Sequence, residues 1–333
     1  MISCLTETFE DDFSDIGLES FKEFQITKSI KLISNICIIS VFEKKKLLAM
    51  GLECGSVLVK NLKNFETIFI KNKHNSFICS LLFSDCGNYL FSADRNGTII
   101  KWNLQKKNVS NIISNGHQNY IITDMKIYEN YLISCGFDSS IIFWNLKNCS
   151  KINSFTYHGE QFSSMYICPI KEYLFIGTNE GTLLIINLKN LKIVESVKIE
   201  TSGIWSILPS LTDISIYLGT NSGELYQYFD DGSIKFEKIH SNRITEMIYF
   251  KNQIVTVSID HTLKIIDFKT MKIILEKKYS NLNFTGVQKF DNKQILTCCI
   301  NSTNLGIWDI FCDLHLYSFL SKNKKCDINF HFS

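Results

Sequence analysis

Long hydrophobic runs are missing from this chain of 333 residues. No apolar stretch approaches the roughly 20 residues that a membrane-spanning helix requires, so we expect no membrane span. The acidic N-terminus, MISCLTETFEDDFSD, also lacks the basic residues and the apolar core of a secretory signal peptide. These absences predict an intracellular protein, either cytoplasmic or nuclear.

An excess of charge of one sign is missing as well. The chain has 35 lysines and arginines against 33 aspartates and glutamates, which gives a net charge of +2. A balance this close to neutral provides no electrostatic reason to expect DNA or RNA as a partner. The overall composition, with 45% hydrophobic and 20% charged residues, is typical of a globular protein.

Sequence motifs of catalysis are also absent. The chain has no P-loop, no dinucleotide fingerprint and no nucleophile elbow. Its 12 cysteines lack the spacing of a disulfide framework and are expected to be reduced thiols. Two cysteines and two histidines near the C-terminus, Cys312, His315, Cys326 and His331, are residue types that bind zinc. However, Cys312 and His315, and likewise Cys326 and His331, are an odd number of positions apart in strand-like runs, which points their side chains to opposite faces. We therefore expect no enzyme, no cofactor and no metal.

A repeated pattern fills most of the chain. The segment LISCGFDSSIIFWNL, residues 132–146, reads as two β-strands joined by a tight turn. Similar segments recur every 42 residues, with one step of 38. The position of Trp144 is filled in order by Lys60, Trp102, Trp144, Ile186, Tyr228, Ile266 and Trp308. A fixed period of this length indicates a repeat architecture.

Each repeat contains four strand-like runs. In the third repeat these are residues 120–128, 131–135, 140–145 and 151–157, which are rich in β-branched and aromatic residues and are separated by turn residues. A single four-stranded sheet exposes its faces and edges, whereas sheets stacked radially in a closed ring cover one another. The sequence therefore predicts an all-β fold, a seven-bladed β-propeller of four-stranded antiparallel blades.

The repeats resemble WD40 (β-transducin-like) repeats. The third unit carries the residue set of that family, His117, Ser134, Asp138 and Trp144. The resemblance implies a buried network in which the aspartate accepts from the histidine, and the tryptophan N–H joins through the hydroxyl. Other units depart from this pattern. In the second unit the expected members are His74, Ser92, Asn96 and Trp102. In the sixth unit they are His240, Thr256 and Asp260, with Ile266 in place of tryptophan. The fourth unit keeps His158 and has Glu180.

The repeats leave two short ends. We expect residues 1–20 to form an acidic tail and residues 21–333 to form a single propeller with a short C-terminal tail. Members of the family often close the ring with strands from both chain ends, which favours residues 21–26, FKEFQI, as part of the last blade. The alternative is that residues 313–320, DLHLYSFL, fill that place and that the N-terminal segment lies on the surface.

Candidate binding residues follow from the same resemblance. In a WD40-like ring, the residue before the turn acid and the residues that open the inner strand project onto the narrower face around the channel. The positions selected are Arg95, Phe137 and Ile259 from the turns, and Phe77, Tyr120, Trp205 and Arg243 from the strand openings. Exposed aromatic residues near arginine are frequent interface anchors, so a partner peptide is expected here. The alternative is that Phe137 and Trp205 fold inward and plug the channel.

Two classes of function remain from the sequence. The first is a non-enzymatic scaffold or adaptor that binds other proteins, which is what the resemblance implies for most WD40 proteins. The second is a propeller with a small-molecule, lipid or enzymatic site in the central channel. Phosphoinositide binding by a paired-arginine signature is disfavoured, because Arg95 and Arg243 are the only arginines and are not adjacent.

Overall fold

The computed structural model describes residues 20–32, 34–157, 159–211, 213, 215–280, 282–300 and 302–313. Within these residues the chain forms seven four-stranded sheets, which we number as blades one to seven in the order of their first strands. All strand pairs are antiparallel, as predicted. One short 3-10 helix, Glu43–Lys45, joins the first two strands of blade one.

Blade one consists of β2 (Ile36–Phe42), β3 (Leu47–Leu52), β4 (Ser56–Asn61) and β5 (Thr67–Asn72). Blade two consists of β6 (Ile78–Phe83), β7 (Tyr89–Asp94), β8 (Ile99–Asn103) and β9 (Asn108–Ile113). Blade three consists of β10 (Ile122–Tyr128), β11 (Tyr131–Gly136), β12 (Ser140–Asn145) and β13 (Lys151–Thr156). Blade four consists of β14 (Phe162–Cys168), β15 (Tyr173–Thr178), β16 (Thr182–Asn187) and β17 (Lys192–Lys198).

Blade five consists of β18 (Ile204–Pro209), β19 (Ser215–Thr220), β20 (Glu224–Phe229) and β21 (Ile234–Lys238). Blade six consists of β22 (Ile244–Phe250), β23 (Gln253–Ser258), β24 (Thr262–Ile266) and β25 (Ile273–Lys278). Blade seven consists of β26 (Phe284–Lys289), β27 (Gln294–Cys299), β28 (Asn304–Asp313) and the N-terminal strand β1 (Ser20–Lys31). The seven positions equivalent to Trp144 all lie in the third strand of a blade, as the repeat predicts.

The N-terminal strand completes the last blade. Strand β1 pairs with β28 along its length, so that blade seven has the order β1, β28, β27, β26. The backbone of Ile26 lies opposite that of Trp308. The expectation that residues 21–26 take part in closure is therefore confirmed. Residues 314–320 of the alternative lie outside the described residues, as do residues 1–19 of the expected acidic tail.

Hydrophobic clusters hold the blades together. Each of seven clusters lies between two neighbouring blades, because the second and third strands are apolar on both faces. Trp102 packs between blades one and two, where its ring meets Phe69 edge-on. The cluster that joins Ile36 and Leu48 to Leu296 and Ile307 connects blade one to blade seven. The ring is thus closed by side-chain packing as well as by strand pairing.

The first strand of each blade contacts the first strand of the next blade and therefore borders the central channel. All seven of these inner strands contain a β-bulge directly after their opening residue. The bulged residues are Cys37, Cys79, Thr123, Ser163, Trp205, Thr245 and Thr285. Several of the hydroxyls bond to the next blade: Thr123 donates to the carbonyl of Phe162 and Thr245 to that of Phe284. In blades three, four and six the bulge thus turns Thr123, Ser163 or Thr245 into a link to the next blade.

Antiparallel pairing fixes what each face of the ring carries. We call the face at which the inner strands begin the upper face, and the opposite face the lower face. The upper face also holds the turns between the second and third strands of each blade. Several of these turns need glycine. A Cβ on Gly181, which has a φ of 87°, would lie 2.4 Å from the carbonyl oxygen of Glu200.

Candidate functional site

Blade three contains the complete polar network. The His117 Nδ1 atom lies 2.9 Å from Asp138 Oδ1, and its Nε2 atom lies 2.7 Å from Ser134 Oγ. The Trp144 ring N–H donates to the same Ser134 oxygen at 2.8 Å. Because an ionised carboxylate only accepts, the proton of the neutral imidazole belongs on Nδ1, and Nε2 accepts from the serine hydroxyl. The network explains why Asp138 and Trp144 occur together: they bind opposite ends of one His–Ser pair.

Blade two builds the same network with a different acid, and the sequence prediction of Asn96 was wrong. His74 Nδ1 lies 2.9 Å from Asp94 Oδ2, while His74 Nε2 and the Trp102 N–H both bond to Ser92 Oγ. The Asn96 backbone N–H donates to Asp94 Oδ1 at 2.9 Å. Asp94 ends strand β7, and its carboxylate therefore reaches the histidine from the strand rather than from the turn.

A glycine marks the same position in blade three. Gly136 ends β11 as Asp94 ends β7, and a Cβ there would lie 3.2 Å from His117 Nδ1. That Cβ would also lie 2.4 Å from the backbone carbonyl oxygen of Ile121, so blade three takes its carboxylate from the turn, whereas blade two takes it from the strand end. The signal for this in the sequence is the aspartate in SADRNG, two residues before Asn96.

Blade six forms a network without tryptophan. His240 bonds to Asp260 at 3.0 Å and to Thr256 at 2.8 Å, as predicted. Thr262 Oγ1 adds contacts to both His240 Nδ1 and the Asp260 carboxylate. Ile266 fills the position of the tryptophan and is fully buried. His158 of blade four lies outside the described residues.

Blade seven has a shorter network that sequence reasoning missed. The Trp308 ring N–H donates to Thr297 Oγ1 at 2.7 Å, and both residues are buried. The hairpin is one residue longer here than in blade three, since Thr297 and Trp308 are 11 apart where Ser134 and Trp144 are 10 apart. This extra residue shifted the alignment and concealed the hydroxyl.

The acids of the networks in blades three and six are held ionised. Burial opposes the ionised form of Asp138, but hydrogen bonds from His117 and Ser140 outweigh it and lower the pKa of Asp138. The pKa of Asp260 is lowered in the same way, against burial, by bonds from His240 and Thr262. Burial lowers the pKa of His240, which keeps the imidazole neutral. The side chains of His117 and His240 have no exposed area, so the networks are buried and structural.

The upper face brings three of the predicted binding residues together. The Arg243 guanidinium carbon lies 3.6 Å from the centre of the Trp205 ring, and its Nε donates to Asn221 Oδ1 at 2.7 Å. The Phe137 ring meets the Trp205 ring edge-on, with centroids 6.3 Å apart. Phe137 belongs to blade three and Trp205 to blade five, so this contact passes over the mouth of the channel. We call Phe137, Trp205 and Arg243 the mouth cluster.

The mouth cluster depends on a departure from the repeat. Trp205 occupies the bulged position at which other blades have cysteine, serine or threonine. Its ring is half-buried, and partial burial lowers the pKa of Arg243. The inward packing of Phe137 and Trp205 corresponds to the arrangement that the channel-plug alternative requires.

The other candidates on the upper face form a second group. The Arg95 guanidinium carbon lies 5.6 Å from the Phe77 ring centre, and Arg95 is exposed. Tyr120 is 51% exposed, whereas Ile259 is half-buried. The candidates therefore do not form one continuous set: one pair lies on blade two and the mouth cluster spans blades three, five and six.

Charged side chains border the channel, which the sequence did not predict. Glu246 on β22 accepts from the backbone N–H of Val287 at 2.7 Å and from the Gln288 amide at 2.6 Å. Asp124 on β10 accepts in the same manner from the N–H of Met165, at 3.0 Å, in blade four. Both acids thus bind the inner strand of the next blade.

The charges of Lys126 and Asp124 also affect the pKa of Glu246. Burial raises the pKa of Glu246 to about 7; hydrogen bonds from Val287 and Gln288 and the charge of Lys126 lower it, while Asp124 raises it. Lys126 forms an ion pair with Asp124 at 2.9 Å. Blades three and six are not neighbours, so the interaction of Lys126 with Glu246 acts across the channel. Sequence signals were weak because these charged residues lie in otherwise largely apolar strands on two separate blades.

The described cysteines form neither disulfides nor a metal site. The side chains of nine cysteines are described, and all nine are free thiols. Cys298 and Cys299 lie in different hydrophobic clusters on the two faces of β27, as their adjacency in a strand predicts. Among the described residues no group of three or more metal-ligating side chains is found. His315, Cys326 and His331 lie outside the described residues.

The repeat positions agree with a known family. The WD domain, G-beta repeat (WD40) family matches residues 65–103 and 109–145. The chain thus carries two matched WD40 repeats within a seven-bladed β-propeller. Each matched segment contains the outer strand of one blade and the first three strands of the next. These segments include the tryptophans Trp102 and Trp144 and both of the networks that contain a histidine and a tryptophan.

A solved structure supports the propeller fold. The β-propeller domain of Myceliophteria thermophila Cps50 (Swd1) superposes with a TM-score of 0.74, at 14% identity, over 87% of this chain and 100% of that one. An identity this low shows the common fold alone. No curated protein matches the chain. Within the described residues there is no helix of the length and hydropathy needed to cross a membrane.

Proposed function

We propose that this WD40 propeller is a non-enzymatic scaffold or adaptor that binds a partner peptide or domain on its upper face, around the channel. The partners are other proteins, and the chain acts as a subunit of a multiprotein complex in the cytoplasm or nucleus. The nine free thiols support a reducing compartment. WD40 repeats and a rigid ring with many loops suit protein interaction in general.

The observation that carries the proposal is the mouth cluster. A tryptophan, a phenylalanine and an arginine from three blades meet at 3.6 Å and 6.3 Å, half-buried, on one face. Arginine and large aromatic residues supply a disproportionate share of binding energy in protein interfaces. The hydrogen bond to Asn221 and the ring contact hold Arg243 in place before a partner arrives, which reduces the entropy lost on binding.

The alternative, a small-molecule, lipid or enzymatic site in the channel, has the Asp124, Lys126 and Glu246 side chains in its favour. We prefer the scaffold because both carboxylates already accept hydrogen bonds from a neighbouring inner strand. Their placement is explained by the need to satisfy backbone N–H groups between blades. The contact between Phe137 and Trp205 also narrows access to the channel from above.

The test starts from an affinity purification in the native cell, followed by binding measurements with the purified partner. Phe137→Ala and Arg243→Glu should each weaken binding by more than about tenfold, because each removes an anchor of the kind that dominates interfaces. Thermal unfolding must show that the variants remain folded. Phe236→Ala and Lys235→Glu are matched controls, since both residues are exposed on the outer strand of blade five.

Two results would contradict the proposal. The first is that Phe137→Ala and Arg243→Glu bind normally while the outer-strand controls fail, which would move the site to the edge of the ring. The second is that Phe137→Ala lowers the melting temperature and leaves affinity unchanged, which would make the mouth cluster a plug.

A further inference from the structure

A cavity opens on the lower face between blades four and five. Its volume is about 280 Å³, and its walls include the rings of Tyr166, Tyr173, Phe175 and Tyr228. Tyr166 and Phe175 are stacked with centroids 6.3 Å apart, and Tyr173 meets Phe175 edge-on at 6.5 Å. We call this space the blade 4–5 cleft. It is large enough for one long side chain and is distinct from the upper-face site.

The chain contains an occupied version of this cleft. In blade two the same two strand positions are Tyr89 and Phe91, and the Lys101 ammonium lies 4.6 Å and 5.7 Å from their ring centres. Its Nζ donates to the carbonyl oxygens of Leu146, at 2.7 Å, and Lys147, at 3.1 Å, in blade three. Lys101 is only 7% exposed. A cation over this aromatic pair is thus an arrangement that the fold already uses.

Blade four retains the aromatic pair but not the cation. Tyr173 and Phe175 pair with Asn187 and Ile185 just as Tyr89 and Phe91 pair with Asn103 and Lys101. Ile185 is shorter than lysine and carries no charge, so the cleft beside it stays open. In blade three the same position is Phe143, whose ring packs against Tyr131 and Phe155 and fills the space with apolar atoms.

The charges around the cleft are those that a cation requires. Glu195, Asp213 and Asp230 line it, and Lys171 pairs with Asp230 at the rim. Among the described residues Glu195 and Asp213 form no ion pair; Glu195 accepts from the Tyr228 hydroxyl at 3.2 Å. Burial and the nearby Glu195 carboxylate raise the pKa of Tyr228 to about 12, which reflects this negative field.

We propose that the blade 4–5 cleft receives a lysine or arginine side chain of a partner peptide, bound over Tyr173 and Phe175 and paired with Glu195 and Asp213. The aliphatic part of the side chain packs on Ile185 and the rings, and its charged end takes the place that Lys101 fills in blade two. The exposed side chain of Ile170, 94% accessible at the rim, contacts the flanking residues of the peptide. This site stands independently of the upper-face proposal.

The probe is a heptapeptide with one central lysine flanked by serine and leucine, together with versions that carry arginine or acetyl-lysine at that position. Ligand-observed NMR titrations against the full chain give the affinities. The lysine and arginine peptides should bind, and the acetyl-lysine peptide should bind about tenfold more weakly, because acetylation removes the charge. Equal binding of all three would show a merely apolar groove and overturn the proposal.

Two substitutions close the cleft in ways that the chain itself uses. Ile185→Lys reproduces blade two and Ile185→Phe reproduces blade three, and each should reduce binding of the lysine peptide by at least about tenfold. Glu195→Gln, on the exposed rim, tests the charge without disturbing the core and should weaken binding severalfold. Asp85→Asn, exposed in the lower-face turn of blade two, is the control and should bind as the original chain does.

Three outcomes would contradict the proposal: no binding of either cationic peptide, unchanged binding by folded Ile185→Phe and Glu195→Gln variants, or binding that appears only after residues 314–333 are removed. The last would assign the cleft to the chain's own C-terminal segment, which contains Lys322, Lys324 and Lys325, in place of a partner.

Discussion

Asp138 and Asp94 lie at different positions of their repeats. Each nevertheless accepts a hydrogen bond from the Nδ1 atom of the histidine in its own network. The first carboxylate comes from the turn and the second from the end of the strand, and both lie 2.9 Å from a histidine Nδ1. The physical requirement is a buried acceptor at one point in space, because an imidazole N–H without a partner is costly. Position in the sequence is secondary to position in the network.

Substitution of the acids separates members of the network from bystanders. Asp94→Ala and Asp138→Ala should each lower the free energy of unfolding by about 1–3 kcal/mol, since each leaves a histidine and backbone N–H groups without an acceptor. Asn96→Ala should change it by less than about 0.5 kcal/mol, because the exposed Asn96 side chain lies outside the network. Urea unfolding at pH 7 provides the comparison, and equal losses at Asn96 and Asp94 would contradict the assignment.

The effect of Asp138 also has a pH signature. A carboxyl whose pKa is lowered by folding stabilises the fold above its unfolded pKa and loses that contribution as the pH falls through its folded pKa. The deficit of Asp138→Ala should therefore be full at neutral pH and shrink below the ordinary value of 3.8. A deficit that is constant down to strongly acidic pH would point to lost packing instead.

Folding shifts the pKa of Glu246 in the opposite direction to that of Asp138. Its pKa rises from 4.5 to about 7 on folding, so the folded chain holds the proton more tightly and loses stability as the pH rises through that window. Glu246→Gln removes this titration. Between pH 5 and pH 8 the variant should gain on the order of 2 kcal/mol of unfolding free energy relative to the original chain. Parallel pH profiles for the two chains would contradict the placement of Glu246.

At the scale of elements, the order of strands explains how the ring closes. The repeat can be counted as in the matched family segments, from the outer strand of one blade through the first three strands of the next. Residues 65–103, which hold β5 to β8, are one example. Strand β1 is then the first strand of the first repeat and β28 the last strand of the seventh. The seventh repeat thus supplies three strands of blade seven, and β1 fills the fourth place.

Truncation tests the closing strand. A chain that begins at residue 29 loses most of β1, and its melting temperature should fall by several degrees because β28 becomes an unpaired edge. A chain that begins at residue 20 keeps β1 and serves as the control. If both truncations melt at the temperature of the full chain, β1 does not close the ring.

The repeat pattern predicted the elements well and the side-chain sites less well. Strand positions follow from periodicity because the same order of apolar strands and turn residues recurs in every blade, and Trp144 and its equivalents consequently fell in the third strand of each blade. The sequence did not predict that Asp94 accepts from His74, nor that Asp124 and Glu246 border the channel. Both findings depend on which side chains meet across a turn or across the channel. Trp205 was selected as a strand-opening position on the narrow face, but its contact with Phe137 on a distant blade has no local signal in the sequence.

At the scale of the whole molecule, the ring provides rigidity and the departures from the repeat provide specificity. Seven similar interfaces share the packing, so single blades are free to diverge where their side chains reach a face of the ring. Trp205 at a bulge is one such departure, and the aromatic pair Tyr173 and Phe175 beside Ile185, where blade two has Lys101, is another. The first creates the mouth cluster and the second opens the blade 4–5 cleft, the two surfaces on which we propose that partners bind.

The central claim is that a protein partner binds over the channel mouth on the upper face. Hydrogen–deuterium exchange of the chain, with and without the purified partner, tests this most directly because it reports every segment at once. The account predicts slower exchange in the segments around Arg95, Phe137, Trp205 and Arg243, and unchanged exchange in the outer strands β9, β17 and β21. Protection confined to those outer strands, with no change around the channel mouth, would contradict it.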